Sequence, residues 1–165
     1  MPLLGQDVMT RLIRMEELSY PAFLELAVQS YTHDNVASGR WSAEDAPALA
    51  RAETERLLPQ GIATPDNHLF EIREPRSGQT VGYLWAAALN RGVKKVAYVV
   101  QLLVLPEFRR QGHGRVALLE FEAIAKELGF ETIALNVFAS NAAAQALYRS
   151  LGFAVTSMSM HKDLA

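Results

Sequence analysis

The chain has 165 residues, a formal charge of −2, and a composition that is 50% hydrophobic and 21% charged. This length and composition predict one globular domain over residues 1–165 and exclude a disordered or fibrous chain. The small acidic charge excludes a broad basic surface for nucleic acid or an anionic membrane, and the absence of cysteine excludes disulfides, thiolate metal sites and a cysteinyl intermediate.

Neither a membrane helix nor a signal peptide is predicted. The most apolar stretch, residues 81–106, is divided by the polar segment NRGVKK, so neither part approaches the roughly 20 apolar residues that span a bilayer. The first residues place Asp7 and Arg11 among apolar side chains, which is a poor signal sequence. We therefore expect a cytoplasmic protein.

The N-terminal part predicts one strand and two helices. Apolar and polar residues alternate over Val8–Arg14, as in a half-buried strand. A helix is predicted over about Ser19–Ala37, followed by a second over Ser42–Leu58 whose SAED opening has the form of a capping box. Pro47 lies inside that second segment and would delay or kink the helix.

Three short β runs follow, at residues 68–74, 80–89 and 95–105. Because PRSG and NRG turns join them, they predict an antiparallel meander. A helix from Arg110 to a stop at Gly129 comes next, and TIALNVF at 132–138 predicts the strand that completes a parallel βαβ unit.

The C-terminal part predicts one more helix and one more strand. Asn141 is placed to cap a helix that ends near Gly152. The segment AVTSMSMHK, at 154–162, predicts a closing strand. Together these elements predict a mixed α/β fold.

The segment RRQGHG, at 109–114, lies where an apolar strand passes into a helix. The first turn of a helix offers unpaired N–H groups and a positive dipole end, so two glycines and flanking arginines there predict a phosphate site. Read literally, Gly112, Gly114 and Ala117 also fit the dinucleotide pattern G-x-G-x-x-A. That alternative is weak because the next strand ends in NVF, without the carboxylate that holds a ribose.

Two blocks of the sequence resemble the GCN5-related N-acetyltransferase (GNAT) family. Arg109, Gly112 and Gly114 match the family's pyrophosphate loop, which reads Gln or Arg, two variable residues, Gly, one variable residue, and Gly or Ala. The later block NAAAQALYRSLGF, at 141–153, is similar to the family's Asn, small-residue helix, Leu-Tyr and Gly-Phe signature. The two N-terminal helices resemble a bacterial subgroup. The resemblance implies a mixed α+β GNAT fold, with a central six- to seven-stranded sheet flanked by about four helices.

The resemblance also implies acetyl-CoA as cosubstrate. Glycines would let the loop backbone approach the pyrophosphate, and the amides of 111–115 would point at it. The residues that the resemblance assigns to the cosubstrate are Leu102, Leu103, Val104, Arg109, Arg110, Gln111, Gly112, His113, Gly114, Arg115, Asn141, Ala144 and Tyr148.

Three positions carry the chemistry that the resemblance implies. The Val104 amide would polarise the thioester carbonyl, and Tyr148 matches the family's general acid, which protonates the leaving thiolate. A neutral amine is required for attack, so a base is expected. Many family members have a glutamate where this chain has Gln101. Glutamine cannot take a proton, which leaves the base unassigned.

We expect an N-acetyltransferase that moves the acetyl group directly from acetyl-CoA to an amine in a ternary complex. The alternative is a non-enzymatic acyl-CoA-binding or regulatory module, which Gln101 makes plausible. A small-molecule or peptide amine is the expected partner, a homodimer is allowed, and no histidine pair has metal-ligand spacing, so no metal is expected. Candidates for holding a cationic amine are Tyr20, Tyr31, Asp34, Trp41, Glu44 and Asp45.

Overall fold

The computed structural model describes residues 10–164, apart from the side chain of Arg91. Five strands and four α-helices are found in this part of the chain. In chain order they are β1 (Arg11–Arg14), α1 (Tyr20–Ala37), α2 (Ala46–Leu57), β2 (Asn67–Glu74), β3 (Gln79–Arg91), β4 (Lys94–Val104), α3 (His113–Glu127), β5 (Thr132–Leu135) and α4 (Ala142–Ser150).

The five strands form one sheet in the order β1-β2-β3-β4-β5. The first three pairings are antiparallel, which confirms the predicted meander. β5 pairs with β4 in parallel, and α3 connects them, which confirms the βαβ unit. The mixed α+β class is confirmed.

Helices cover both faces of the sheet because alternate strand residues point to opposite sides. Phe23 and Ala27 of α1 pack with Leu69 and Trp85 on one face. On the opposite face, α3 and α4 cover the neighbouring strand residues. That second cluster includes Phe70, Leu84, Ala97, Val99, Leu118 and Phe121, with Leu147 and Tyr148 packed against it.

The predicted closing strand is wrong, and so is the six- to seven-stranded sheet. Residues 153–164 form no strand, and the described sheet has five strands. The alternation at 154–162 is present, but a strand needs a neighbouring strand to bond, and these residues are exposed and paired with none of the described strands. β5 also ends at Leu135, three residues before the predicted end.

One helix start also differs from the predictions. α2 begins at Ala46 because Pro47 fits the first turn, where its missing N–H costs nothing. The Asp45 amide donates to Ser42 Oγ at 3.1 Å. The hydrogen bond of the predicted capping box is therefore formed in the turn that precedes α2. α1 begins at Tyr20 with no side-chain cap from Ser19. The predicted start of β1 at Val8 lies outside the described residues.

Candidate active site

β4 and β5 are paired only along the first half of β4. Their parallel register runs from Val96↔Thr132 to Val99↔Leu135 and then stops. β4 continues to Val104 along β3, with one extra residue, Val100, between the pairs Ala86↔Val99 and Trp85↔Gln101. Such a bulge bends its strand and increases the local twist. The result is an opening in the sheet, with one edge of β4 unpaired beyond Val99.

The Val104 amide points into this opening. The Leu105 N–H donates to the Val81 carbonyl on β3 at 2.9 Å. Successive N–H groups of an extended strand alternate between its two edges, so the Val104 N–H lies on the edge that β5 has left. The Val104 carbonyl is held there by Arg109, whose Nε donates to it at 3.0 Å.

The loop between β4 and α3 presents a row of unbonded N–H groups. None of the amides of residues 111–115 donates to a described residue, and the first to do so is that of Val116, which bonds the Gly112 carbonyl at 3.1 Å. Gly112 caps α3 with φ +90°, and Arg110 has φ +58°. Left-handed residues in a loop turn successive N–H groups to one side, which is the geometry of an anion cradle.

Side-chain hydrogen bonds and ring packing hold this loop in place. The Gln111 Nε2 donates to the Glu107 carbonyl at 3.1 Å, and Arg115 donates to Ser150 Oγ on α4 at 2.8 Å. The His113 ring is buried, 2.9 Å from Thr10 Oγ1 and edge-to-face with Phe108. Its side chain therefore faces the protein, and only its backbone can meet a ligand.

Gly114 brings α3 against the end of β4. A Cβ at this position would lie 3.7 Å from Leu147 Cδ2 and 3.8 Å from Leu102 and Val104 side-chain carbons. These are ordinary contacts, so Gly114 leaves room for a methyl group. The side chains of Leu102 and Val104 thus support the start of α3, and the backbone of both residues lines the opening in the sheet.

Tyr148 lies on α4, packed against Phe153 with ring centroids 5.7 Å apart. Its hydroxyl makes no hydrogen bond to a described residue. Burial raises the pKa of Tyr148, and the carboxylate of Asp34 raises it further. The same α4 begins with Asn141, whose Oδ1 accepts from the Ala144 amide at 3.1 Å, which confirms the predicted cap.

Asp34 is the amine-binding candidate that the structure brings near Tyr148. Burial raises the pKa of its carboxyl, while neighbouring His33 lowers it. The other five candidates have other partners or lie in the open. Tyr31 packs on Trp41, Tyr20 packs on Phe23, Asp45 bonds Ser42 and Glu44 is exposed.

Gln101 carries an unsatisfied acceptor next to the bulge. Its Nε2 donates to the Ala27 carbonyl of α1 at 3.0 Å. A carbonyl can only accept, so this bond fixes the amide orientation, and the buried Oε1 is left without a partner. A buried acceptor without a donor costs free energy unless a ligand supplies one.

Sequence reasoning missed Gly82, which lies opposite Val104 in β3. A Cβ at Gly82 would lie 2.1 Å from the Leu103 carbonyl oxygen. The strands can therefore approach at the site only because residue 82 has no side chain. A glycine inside a strand pattern was the available signal, since it marks a bulge or a close backbone approach.

Comparison with known proteins decides the family. The model described as "Acetyltransferase (GNAT) family" matches residues 20–153. The chain belongs to the GNAT family. This GNAT protein is 31% identical over 150 residues to the uncharacterized N-acetyltransferase YdgE of Bacillus subtilis, covering 91% of this chain and 95% of YdgE.

Two further relatives agree with this assignment. The structure resembles the crystal structure of YycN from Bacillus subtilis with a TM-score of 0.89 and 29% identity, covering 95% of this chain and 99% of that one. The [ribosomal protein bS18]-alanine N-acetyltransferase of Escherichia coli is 42% identical over 72 residues, 44% of this chain and 49% of that protein. The GNAT protein is thus an N-acetyltransferase, and the module without activity is not favoured.

No helix within residues 10–164 has the length and apolar character needed to cross a bilayer. Within the same residues, no group of three or more histidine, aspartate or glutamate side chains is placed to hold a metal ion.

Proposed function

We propose that this protein transfers the acetyl group of acetyl-CoA directly to an amine while both substrates are bound. The observation that carries the proposal is the row of unbonded amides at 111–115 beside the unpaired edge of β4. Unpaired N–H groups at a helix start bind phosphate groups. Gly112 supplies the positive φ that the cradle needs, and Arg109 and Arg110 add positive charge at its rim.

Acetyl-CoA supplies the acetyl group as a thioester. The Val104 N–H donates to the carbonyl oxygen of this group, where negative charge develops during transfer. The Tyr148 hydroxyl donates its proton to the departing sulfur. A tyrosine hydroxyl is protonated at neutral pH and burial raises the pKa of Tyr148 further, so the hydroxyl carries the proton that it donates.

The amine enters from the α1 side, between Gln101 and Asp34. Gln101 Oε1 accepts a hydrogen bond from the amine N–H, which satisfies its buried acceptor. Asp34 lies near Tyr148, and burial raises the pKa of its carboxyl, so it is a better proton acceptor than an exposed aspartate. Because Gln101 cannot take a proton, we propose Asp34 as the base that removes a proton from the amine.

The acceptor belongs to the class of small-molecule or peptide amines. We predict that the transfer takes place in the cytoplasm. We also predict that residues 1–165 form a single domain. Neither nucleic acid nor a membrane is part of the proposal.

Ligand-induced stabilisation and thiol release test the proposal. Acetyl-CoA and CoA should raise the midpoint of thermal unfolding, and NAD should not, because ligands that bind only the native state stabilise it. Release of CoA thiol is then followed with an aminoglycoside, a lysine peptide and a peptide that begins with alanine. The chain has no cysteine, so it adds no thiol background. Stabilisation by NAD instead, or thiol release that is independent of every amine, would contradict the proposal.

A further inference from the structure

A buried polar contact joins the residue before β1 to the first residue of α3. Thr10 Oγ1 lies 2.9 Å from His113 Nδ1, and the two residues are only 3% and 5% exposed. A buried polar group that loses its partner costs free energy, so the contact holds each residue opposite the other. The start of α3 is thereby attached to a part of the chain that is 103 residues away in sequence.

The same ring is packed from the other end of the loop that leads into α3. Phe108, just before this loop, lies edge-to-face with His113, with ring centroids 6.2 Å apart and 84° between the ring planes. Phe108 itself packs against the buried cluster of Ile72, Val81 and Ala117. The His113 ring therefore links the two ends of the loop and ties both to the sheet.

The loop gains little support from its own backbone. Arg110 and Gly112 both have positive φ, +58° and +90°, and no amide of residues 111–115 donates to a described residue. A strained segment of this kind persists only when its surroundings fix it. Among residues 109–115, only His113 is buried. Its ring is attached to the backbone between the Gly112 and Gly114 amides, so it is placed to fix both.

The ring acts through its position and not through its charge. Burial lowers the pKa of His113 below the ordinary value of 6.5, although the Glu74 carboxylate opposes this shift, so the ring is neutral at pH 7. A neutral ring adds no attraction for a phosphate group. Its contribution to binding is therefore geometric, since it keeps the amides around it turned to one side.

We propose that the contact between Thr10 and His113 positions the anion cradle of residues 111–115 and thereby sets the affinity for acetyl-CoA. His113 is a positioning residue in this scheme, because its side chain does not meet the ligand. The inference rests on the proposed function. It adds that the segment leading into β1, at the opposite edge of the sheet from β5, takes part in the cosubstrate site.

Calorimetric titration with acetyl-CoA and steady-state thiol release test the proposal in Thr10→Val and Thr10→Ser. Valine keeps the shape of threonine but cannot bond the ring, so the dissociation constant and KM for acetyl-CoA should rise about tenfold. At saturating acetyl-CoA, kcat should stay within about twofold, because the reacting groups are unchanged once the cosubstrate is bound. Thr10→Ser retains the hydroxyl and should keep the affinity of the unchanged chain. Unchanged affinity in Thr10→Val, or an equal loss in both variants, would overturn the proposal.

Glu120→Ala is the matched control for a general loosening of the same two elements. The Glu120 carboxylate accepts from the Leu12 amide at 2.8 Å and from Arg11 at 3.2 Å, so it also joins β1 to α3. It lies about two helical turns beyond His113 and away from the loop. The variant should lower the midpoint of thermal unfolding and keep the dissociation constant within about twofold. A loss of affinity as large as that of Thr10→Val would refute a specific role for the Thr10–His113 contact.

A double variant tests whether the two residues act as a unit. His113→Phe keeps a ring against Phe108 but removes the bond to Thr10, so it should lose affinity as Thr10→Val does. Combining both substitutions should cause no loss beyond the larger single one, because the contact is already absent after either. Additive losses would contradict the proposal.

The unchanged chain separates this inference from the proposed function. If acetyl-CoA does not bind to the unchanged chain, both are overturned. If it binds equally well to the unchanged chain and to Thr10→Val, only the positioning role is refuted, and the proposed function stands.

Discussion

Gly112 and Gly114 lie in one loop but place different demands on the backbone. Gly112 has φ +90°, a conformation that costs a residue with a side chain about 1–2 kcal/mol. Gly114 lies in the first turn of α3, where a methyl group meets only ordinary contacts of 3.7–3.8 Å. The sequence shows two equivalent glycines, whereas the structure makes only the first a conformational requirement.

Gly112→Ala should weaken acetyl-CoA binding at least about tenfold, because relaxing the strained residue turns the cradle amides away. Gly114→Ala is the matched control. It should keep the dissociation constant within about threefold and raise the free energy of unfolding by about 0.5–1 kcal/mol, the usual gain of alanine over glycine in a helix. Calorimetric titration and urea unfolding measure both quantities. Equal losses of affinity in the two variants would show that the cradle does not depend on residue 112.

Tyr148→Phe should lower kcat at least about tenfold, since a positioned acid contributes at least that much. The dissociation constant for acetyl-CoA should not change, because the ring keeps its contact with Phe153. The free energy of unfolding should hardly change either, as the hydroxyl bonds no described residue. Steady-state thiol release with a saturating amine gives kcat. An unchanged kcat would make Tyr148 a packing residue only.

At the scale of elements, the site is created by how β3, β4 and β5 meet. Pairing with β5 stops at Val99, the bulge at Val100 turns β4 aside, and Gly82 lets β3 stay close to the free half of β4. This arrangement of the three strands sets the direction of the Val104 N–H. That direction does not depend on the side chain of residue 104.

Gly82→Ala should disturb this arrangement directly. A Cβ 2.1 Å from the Leu103 carbonyl forces β4 away from β3, at a cost of about 1–3 kcal/mol. Affinity for acetyl-CoA should fall together with stability. Gly92→Ala, in the β3–β4 turn, is the control, because its φ of +64° makes alanine strained there while the space around it is open. It should lower stability without changing affinity. Equal affinity of both variants for acetyl-CoA would show that Gly82 does not contribute to the site.

At the scale of the whole molecule, His113 couples stability to pH. Burial lowers the pKa of this ring below its ordinary value of 6.5. The unfolded chain therefore binds a proton that the native protein excludes, and the free energy of unfolding falls as the pH decreases through 6.5. The ring joins Thr10, just before β1, to the start of α3, so its protonation acts on two distant parts of the chain.

Urea unfolding between about pH 7.5 and pH 5.5 measures this coupling. The loss of stability over this interval should be smaller in His113→Asn than in the unchanged chain, whatever the stability of the variant at neutral pH. A slope that is the same in His113→Asn and in the unchanged chain would show that His113 is not the responsible group.

The sequence by itself determined the elements that local rules govern. The meander followed from alternation and turn residues, the βαβ unit from its order along the chain, and the α4 cap from Asn141. The two GNAT blocks predicted the family, which the family model over residues 20–153 confirms. These features depend on neighbours in sequence or on a motif, so one chain is sufficient to read them.

Tertiary structure decided everything that depends on pairing between distant residues. Alternation at 154–162 resembles that of any strand, yet these residues pair with none of the described strands. The approach of Asp34 to Tyr148, the unsatisfied Gln101 acceptor and the burial of His113 likewise arise where separate elements meet. The same physical reason holds in each case: a side chain's environment is set by the residues packed against it, and those are remote in the sequence.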